Sequence, residues 1–135
     1  MAAVVPPRAV RRGRPLIGQP VLYAGKEPPV ALIEVLVHLD LAPEEIPAAY
    51  ALVGMDVPDP AVAAAAPTLP VDWQHDVNAT RTIGSDWLRS NQSLLMRVPS
   101  AIIDQTSNFL VNPAHSDIAT VTVAYQEAFV FDARL

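Results

Sequence analysis

The reading turns on Pro28-Pro29-Val30-Ala31-Leu32-Ile33-Glu34-Val35-Leu36-Val37-His38-Leu39-Asp40. Lys26-Glu27-Pro28-Pro29 interrupts the segment before it, and prolines suit a helix's first turn, where a missing N–H breaks no hydrogen bond. Residues 30–40 are therefore expected to be helical. Apolar side chains point in nearly every direction around that helix, and a helix apolar all round is a buried one. Its only interior polar residues are Glu34 and His38, four apart and hence on one face. A carboxylate there is costly unless it is paired, hydrogen-bonded or open to a polar cleft. Two explanations stand: a structural Glu34–His38 pair, or a cleft carboxylate that stabilises developing positive charge or holds a hydroxyl.

Working outward, residues 20–24 (Pro-Val-Leu-Tyr-Ala) form a short β-favouring run between Gly18 and Gly25. Residues 50–57 read as a strand with a bulge at Gly54, ended by Pro58-Asp59-Pro60. Residues 61–70 are a proline-punctuated connection of small residues. Asn78 or Thr80 is suited to cap a helix running to Ser90, with Ile83, Trp87 and Leu88 on its buried side. Further strands are expected at 93–98, 109–111, 119–125 and 128–131. Residues 1–13 show neither strand nor helix periodicity and read as a disordered tail, leaving one domain over 14–135. Strands and helices mix without strict βαβ alternation, so the expected class is α+β, a mixed or antiparallel sheet with flanking helices.

Composition narrows the function. The chain of 135 residues is 51% hydrophobic and 17% charged, a globular profile. Zero cysteines removes disulfides, thiolate catalysis and thiolate metal sites, and fits a cytoplasmic protein. No apolar run approaches the roughly 18 residues that span a bilayer, so no membrane role is expected. The net charge of −5 opposes broad attraction to nucleic acid. Four of the nine cationic residues, Arg8, Arg11, Arg12 and Arg14, nevertheless crowd the front, as a solvated tail or a partner-binding arm. His38, His75 and His115 have no metal-ligand spacing, and no metal is expected. No glycine-rich phosphate loop and no Gly-x-Ser-x-Gly elbow is present. Ser100, after a strand and Pro99, suits a cap or turn as well as a site, and Asn112-Pro113 suits a turn.

The order of the segments says more than any one of them. Gly18-Gln19-Pro20-Val21-Leu22-Tyr23-Ala24 is followed, eleven residues after the tyrosine, by Glu34 within Ala31-Leu32-Ile33-Glu34-Val35-Leu36-Val37-His38-Leu39. Then come Thr80-Arg81-Thr82-Ile83-Gly84-Ser85-Asp86-Trp87-Leu88, Val98-Pro99-Ser100-Ala101-Ile102-Ile103 and Asn108-Phe109-Leu110-Val111-Asn112-Pro113-Ala114-His115, and the close Phe129-Val130-Phe131-Asp132. From about Arg14 onward this series resembles the RES-domain toxin family, whose fold is similar to that of ADP-ribosyltransferases. The resemblance implies a toxin paired with an Xre-type antitoxin, through which any contact with nucleic acid would run. It implies an enzyme that depletes NAD, as substrate rather than cofactor, by hydrolysis or phosphorolysis of the nicotinamide–ribose bond. Transfer of ADP-ribose to protein is the alternative activity, and an inactive remnant that only binds its antitoxin is the third reading.

The resemblance assigns Glu34 and Ser100 as catalytic and Arg14 and Tyr23 as substrate-binding; Asn108 and Asn112 are further substrate-binding candidates, for which a turn role stands equally. A carboxylate stabilises the oxocarbenium-like ribose left by nicotinamide, and arginine grips a diphosphate through two parallel bonds. Tyrosine stacks on the nicotinamide ring, and serine holds a ribose hydroxyl or orients the glutamate. The front departs from the family. Pro15 stands where an aromatic residue usually follows the arginine, and residues 1–12 bear no likeness to the family's opening strand. An altered or truncated N-terminus, with weakened activity, is the expectation.

Overall fold

The computed structural model describes residues 1–5, 20–39, 50–58 and 67–132. In chain order these form β1 (Ala2–Val5), β2 (Leu22–Gly25), α1 (Pro28–Leu39), β3 (Tyr50–Asp56), α2 (Val77–Ser90), β4 (Leu95–Pro99), β5 (Ser107–Val111), a 3-10 turn (Ser116–Thr120) and β6 (Thr122–Phe129). The strands make one six-stranded sheet in the order β4-β5-β2-β1-β3-β6. Every pairing is antiparallel. The α+β class is as expected, and of the two sheet types anticipated the antiparallel one is present.

Register assigns the faces. Directly opposed residues share a face, and faces alternate along each strand. Ala24 opposite Phe109, and Leu22 and Leu95 opposite Val111, put these side chains on one face. There they pack with Ala3, Met55 and Leu94 in one cluster, joined by Ile118 and Val121 from around the 3-10 turn. The other face carries the two helices. Ala31, Leu32 and Val35 of α1 pack with Tyr50, Leu52, Phe129 and Phe131. Trp87 and Leu88 of α2 pack with Met96, Val98 and Leu110. Between these two clusters the floor of β2 and β5 carries Tyr23, Gly25 and Asn108.

Several expectations change. Part of the expected tail is a strand: Ala2–Val5 sits in the sheet interior, paired to β2 and β3, with Ala2 and Ala3 buried. A central strand is covered on both faces and needs no alternation, which is why its apolar run carried no period. Residues 6–13 lie outside the described residues, as do Arg14 and most of the 61–70 connection. The helix expected at 30–40 begins at Pro28, and it is not buried all round, since Val37 is 58% exposed. It lies on a sheet face with one flank in solvent. The cap of α2 is Asp76, neither Asn78 nor Thr80: its Oδ1 accepts the amide of Ala79 at 2.9 Å. The two strands expected at 119–125 and 128–131 are one, β6, because β3 offers a continuous ladder from Tyr50 to Asp56. The register shift in that ladder falls between Gly54 and Met55, at the anticipated bulge.

Candidate functional site

Gly25 sets up the site. It stands opposite Asn108 across the β2–β5 ladder, and a Cβ added to it would lie 2.6 Å from the backbone nitrogen of Ala31. Only a residue without a side chain lets α1 come this close to the sheet. Glu34, one turn beyond Ala31, then reaches the floor. Asn108 Nδ2 donates to Glu34 Oε1 at 2.6 Å, and Ser100 Oγ donates to the same oxygen at 2.7 Å. An ionised carboxylate only accepts, so the Asn108 amide must turn its nitrogen toward Glu34.

Ser100 arrives from the end of β4. Val98 is opposite Asn108, and the chain turns immediately afterward, with Ser100 N–H bonded to the Thr106 carbonyl at 3.0 Å. Ser100 is 2% exposed, and its oxygen accepts the amides of Ile102 and Ile103, each at 3.1 Å. With both lone-pair directions occupied, the hydroxyl proton is left for Glu34. The turn reading and the site reading of Ser100 are therefore one arrangement. The hydroxyl closes its own turn and also holds the carboxylate.

Tyr23 opposes Leu110, which places it on the face of Asn108. Its phenol is held above the usual pKa by lost solvation and then by the nearby Glu34 charge, while the Arg81 guanidinium pulls the other way. Because the side chain is 56% exposed, the charged neighbours are more informative here than the burial. Tyr23 is thus within electrostatic reach of Glu34 on α1 and Arg81 on α2, and more than half of the residue is open to solvent.

The remaining expected residues are placed differently. Asn112 is 2% exposed; its Nδ2 donates to Asn91 Oδ1 at 2.9 Å, its Oδ1 accepts from Ala114 N at 3.0 Å, and its backbone N–H bonds Leu94. These bonds close the turn after β5 onto the C-terminal end of α2. None of them involves Glu34. The side chain of His38, the alternative partner for Glu34, is outside the described set.

Two features were not singled out from sequence. Ser85 Oγ and Asn108 Oδ1 are buried without a hydrogen-bond partner. The charge of Arg81 reaches Tyr23 although 58 residues separate them in the chain. Ser85, a polar residue on the inner side of an otherwise apolar helix stripe, was the only available signal. A cavity of about 170 Å³ opens elsewhere, beside Gly54 and Tyr125 with Lys26 and Asp56 in its wall, and shares no residue with the Glu34 cluster. Among the described residues no group of three or more His, Asp or Glu is arranged to hold a metal. None of the described helices is long and apolar enough to cross a membrane.

Chemically, the arrangement is an oriented carboxylate beside an exposed aromatic ring, with an unsatisfied amide oxygen next to it. It suits stabilisation of a cationic centre and recognition of hydroxyl or amide donors.

Comparison with known proteins identifies the family. The RES domain family model matches residues 4–132, beginning inside β1. The chain is 39% identical over 118 residues to the protein named Toxin Res of Pseudomonas putida strain KT2440, covering 87% of this chain and 81% of that one. It is 33% identical over 123 residues to a Toxin Res of Photorhabdus laumondii, covering 88% and 78%. It is 31% identical over 125 residues to the Prs ADP-ribosylating toxin of Sphingobium sp. strain YBL2, covering 88% and 76%.

Proposed function

We propose that this chain, which belongs to the RES domain family, is a cytoplasmic toxin that depletes NAD by breaking its nicotinamide–ribose bond. The observation that carries the reading is the Glu34 carboxylate, held through one oxygen by Ser100 and Asn108. When the C–N bond breaks, its electron pair leaves with nicotinamide and positive charge develops over the ribose C1′ and ring oxygen. A fixed carboxylate stabilises that charge without reorganising, which is the source of most electrostatic catalysis. Water or inorganic phosphate then adds at C1′, giving ADP-ribose and a proton, or its 1-phosphate ester. Tyr23 offers a stacking surface to the nicotinamide ring. Asn108 Oδ1, already beside the carboxylate and unsatisfied, accepts from a substrate donor such as a ribose hydroxyl. Arg14 holds the diphosphate. Asn112 supports the pocket indirectly, through the turn that follows β5. An Xre-type antitoxin is the partner that restrains the activity.

Transfer of ADP-ribose to a protein is the second reading, favoured by the relative named as an ADP-ribosylating toxin. Both readings share the bond-breaking step and differ in the acceptor.

Purified protein, freed of any antitoxin, is incubated with NAD with and without phosphate while nicotinamide release is followed. Release by the wild type that falls at least a hundredfold in Glu34→Ala supports the proposal. Release that survives Glu34→Ala overturns the mechanism. Labelled ADP-ribose on protein moves the assignment to transfer. No release, with antitoxin binding intact, makes the chain a non-catalytic binder.

A further inference from the structure

The two edges of the sheet are built differently. Strand β6 pairs with β3 along one side, and among the described residues nothing pairs with its other side. Seven of its eight residues are exposed. Consecutive side chains point to opposite faces, so both faces of the strand are open as well as its edge. Val123 is 61% exposed and Tyr125 38%. Proline, lysine and shortness keep an edge strand from pairing with another chain, and β6 has none of the three. Its single charge is Glu127. The opposite edge, β4, has only five residues, of which Leu95 and Met96 are buried, and it carries Arg97 and Pro99. One edge is guarded and the other is open.

We propose that β6 pairs antiparallel with β6 of a second copy of this chain, about a two-fold axis at Gln126, joining two six-stranded sheets into one. Directly opposed residues share a face, and a two-fold axis perpendicular to the sheet keeps each face on its own side. One residue must therefore lie opposite its own copy, and the choices can be taken in turn. Centred on Glu127, the pairing sets two carboxylates against each other, and like charges directly opposed are destabilising. Centred on Tyr125, it puts Ala124, which the ladder to β3 skips, at the first position beside the axis. Centres nearer either end shorten the ladder. Centred on Gln126, each side-chain amide meets its own copy, with a donor and an acceptor for the other. Each Glu127 then lies opposite Tyr125, whose ring leans back over Gly54 of β3, rather than opposite a carboxylate. A second copy fits better than a foreign strand because this pairing closes. It uses the open edge of both copies and leaves only the guarded β4 edges outside. Strands β1 and β3 separate β6 from the floor beneath Glu34, so the interface stands whatever the substrate.

The chain has no cysteine, so the register can be read by crosslinking. Gln126→Cys sets two thiols opposite each other with Cα atoms about 4.5–5.5 Å apart, inside the disulfide range. Ala128→Cys, equally exposed and on the same face, sets them four residues out of register, about 14 Å apart along the strand and beyond disulfide reach. The full chain at micromolar concentration is expected to sediment at twice its 14.5 kDa. Under mild oxidation Gln126→Cys, but not Ala128→Cys, should run as a covalent dimer. Gln126→Lys puts two ammonium groups at the axis in place of the amide pair and should weaken association by about tenfold. Its circular dichroism should match the wild type, since residue 126 is exposed and its replacement removes no packing. A wild type that is monomeric at every concentration, or equal crosslinking at positions 126 and 128, overturns the proposal. Protection of the β6 amides from exchange only when a different protein is bound assigns the edge to that protein and overturns it as well.

Discussion

Replacing Asn108 by aspartate tests the geometry at Glu34 most directly, because it changes one donor atom into an acceptor. Two carboxylate oxygens held at the 2.6 Å that now separates Asn108 Nδ2 from Glu34 Oε1 repel by about 6 kcal/mol at an effective dielectric of about 20. Losing the hydrogen bond alone, as in Asn108→Ala, costs about 1.5–3 kcal/mol. Repulsion is the larger effect, so the aspartate pair relieves it by binding one proton, as close carboxylates do. At about 1.4 kcal/mol per pKa unit, the pair keeps that proton from near pH 4 to about pH 8. The sign follows from linkage. Above pH 4 the unfolded carboxylates are ionised while the folded pair still binds a proton, so stability falls as pH rises. The slope is about 1.4 kcal/mol per pH unit until the pair ionises. Urea melts of wild type, Asn108→Asp and Asn108→Ala at pH 5, 6, 7 and 8 give the measurement. Asn108→Asp should be close to wild type at pH 5, where a protonated aspartate donates as the amide did, and should fall below Asn108→Ala by pH 8. Nicotinamide release by Asn108→Asp should follow the same proton. A pH-independent gap between Asn108→Asp and Asn108→Ala would refute the contact.

Other perturbations reach the same site from different directions. Gly25→Ala forces α1 away from the sheet, because its Cβ would lie 2.6 Å from the Ala31 nitrogen; we expect about 1–3 kcal/mol lost in denaturant melts and a fall in nicotinamide release. Gly54→Ala, whose Cβ would run into the Tyr125 ring, should cost less stability than Gly25→Ala, because that exposed ring can swing aside while the Ala31 backbone cannot, and release per folded molecule should be kept. Ser100→Ala removes the donor to Glu34 and the acceptor for two amides; it should lower kcat by about tenfold or more with KM little changed, as expected for a residue acting through the carboxylate. Burial holds the Tyr50 phenol above its usual pKa. The stability this contributes is complete below the unfolded value near 10 and is lost as pH rises through the folded value. Tyr50→Phe should therefore flatten alkaline unfolding without altering stability at pH 7 by more than its lost polar group.

What could be read from the chain was whatever local pattern decides. The α1 segment announced itself by its apolar density and by its one awkward carboxylate, and the β3 bulge by Gly54 between strong β formers. Strand β1 could not be read, because Ala2 and Ala3 are small residues buried on both faces and leave no alternating signature. The cap of α2 was ambiguous for a different reason. Asp76, Asn78 and Thr80 are all capable acceptors, and only backbone geometry selects Asp76. The single strand β6 was divided in two because its exposed residues do not carry a continuous apolar stripe; the ladder to β3 holds it together instead. Glu34 and Ser100 could be matched in order along the chain, but their 2.7 Å contact is a tertiary fact. The charge of Arg81 likewise reaches Tyr23 only once α2 has packed against the sheet.

The location of the polar cluster follows from how the core divides. On the helix-bearing face, α1 packs toward β3 and β6, and α2 packs toward β4 and β5. Apolar burial is not directional, and it fixes these two helices without fixing any functional group between them. The seam over β2 and β5 must be filled by groups that bind one another specifically, since a loosely held carboxylate there would gain nothing from its surroundings. Ser100 meets that requirement with every direction of its hydroxyl assigned: two amides donate into the oxygen, and the proton goes to Glu34. A serine so engaged is poorly suited to act as a nucleophile, because attack would need a lone pair that both amides already hold. Its chemistry is to keep one carboxylate oxygen still. On the proposed NAD reading, the sugar would then be attacked by an acceptor from outside the protein, and Glu34, rather than a covalent serine intermediate, would be the group on which the rate depends.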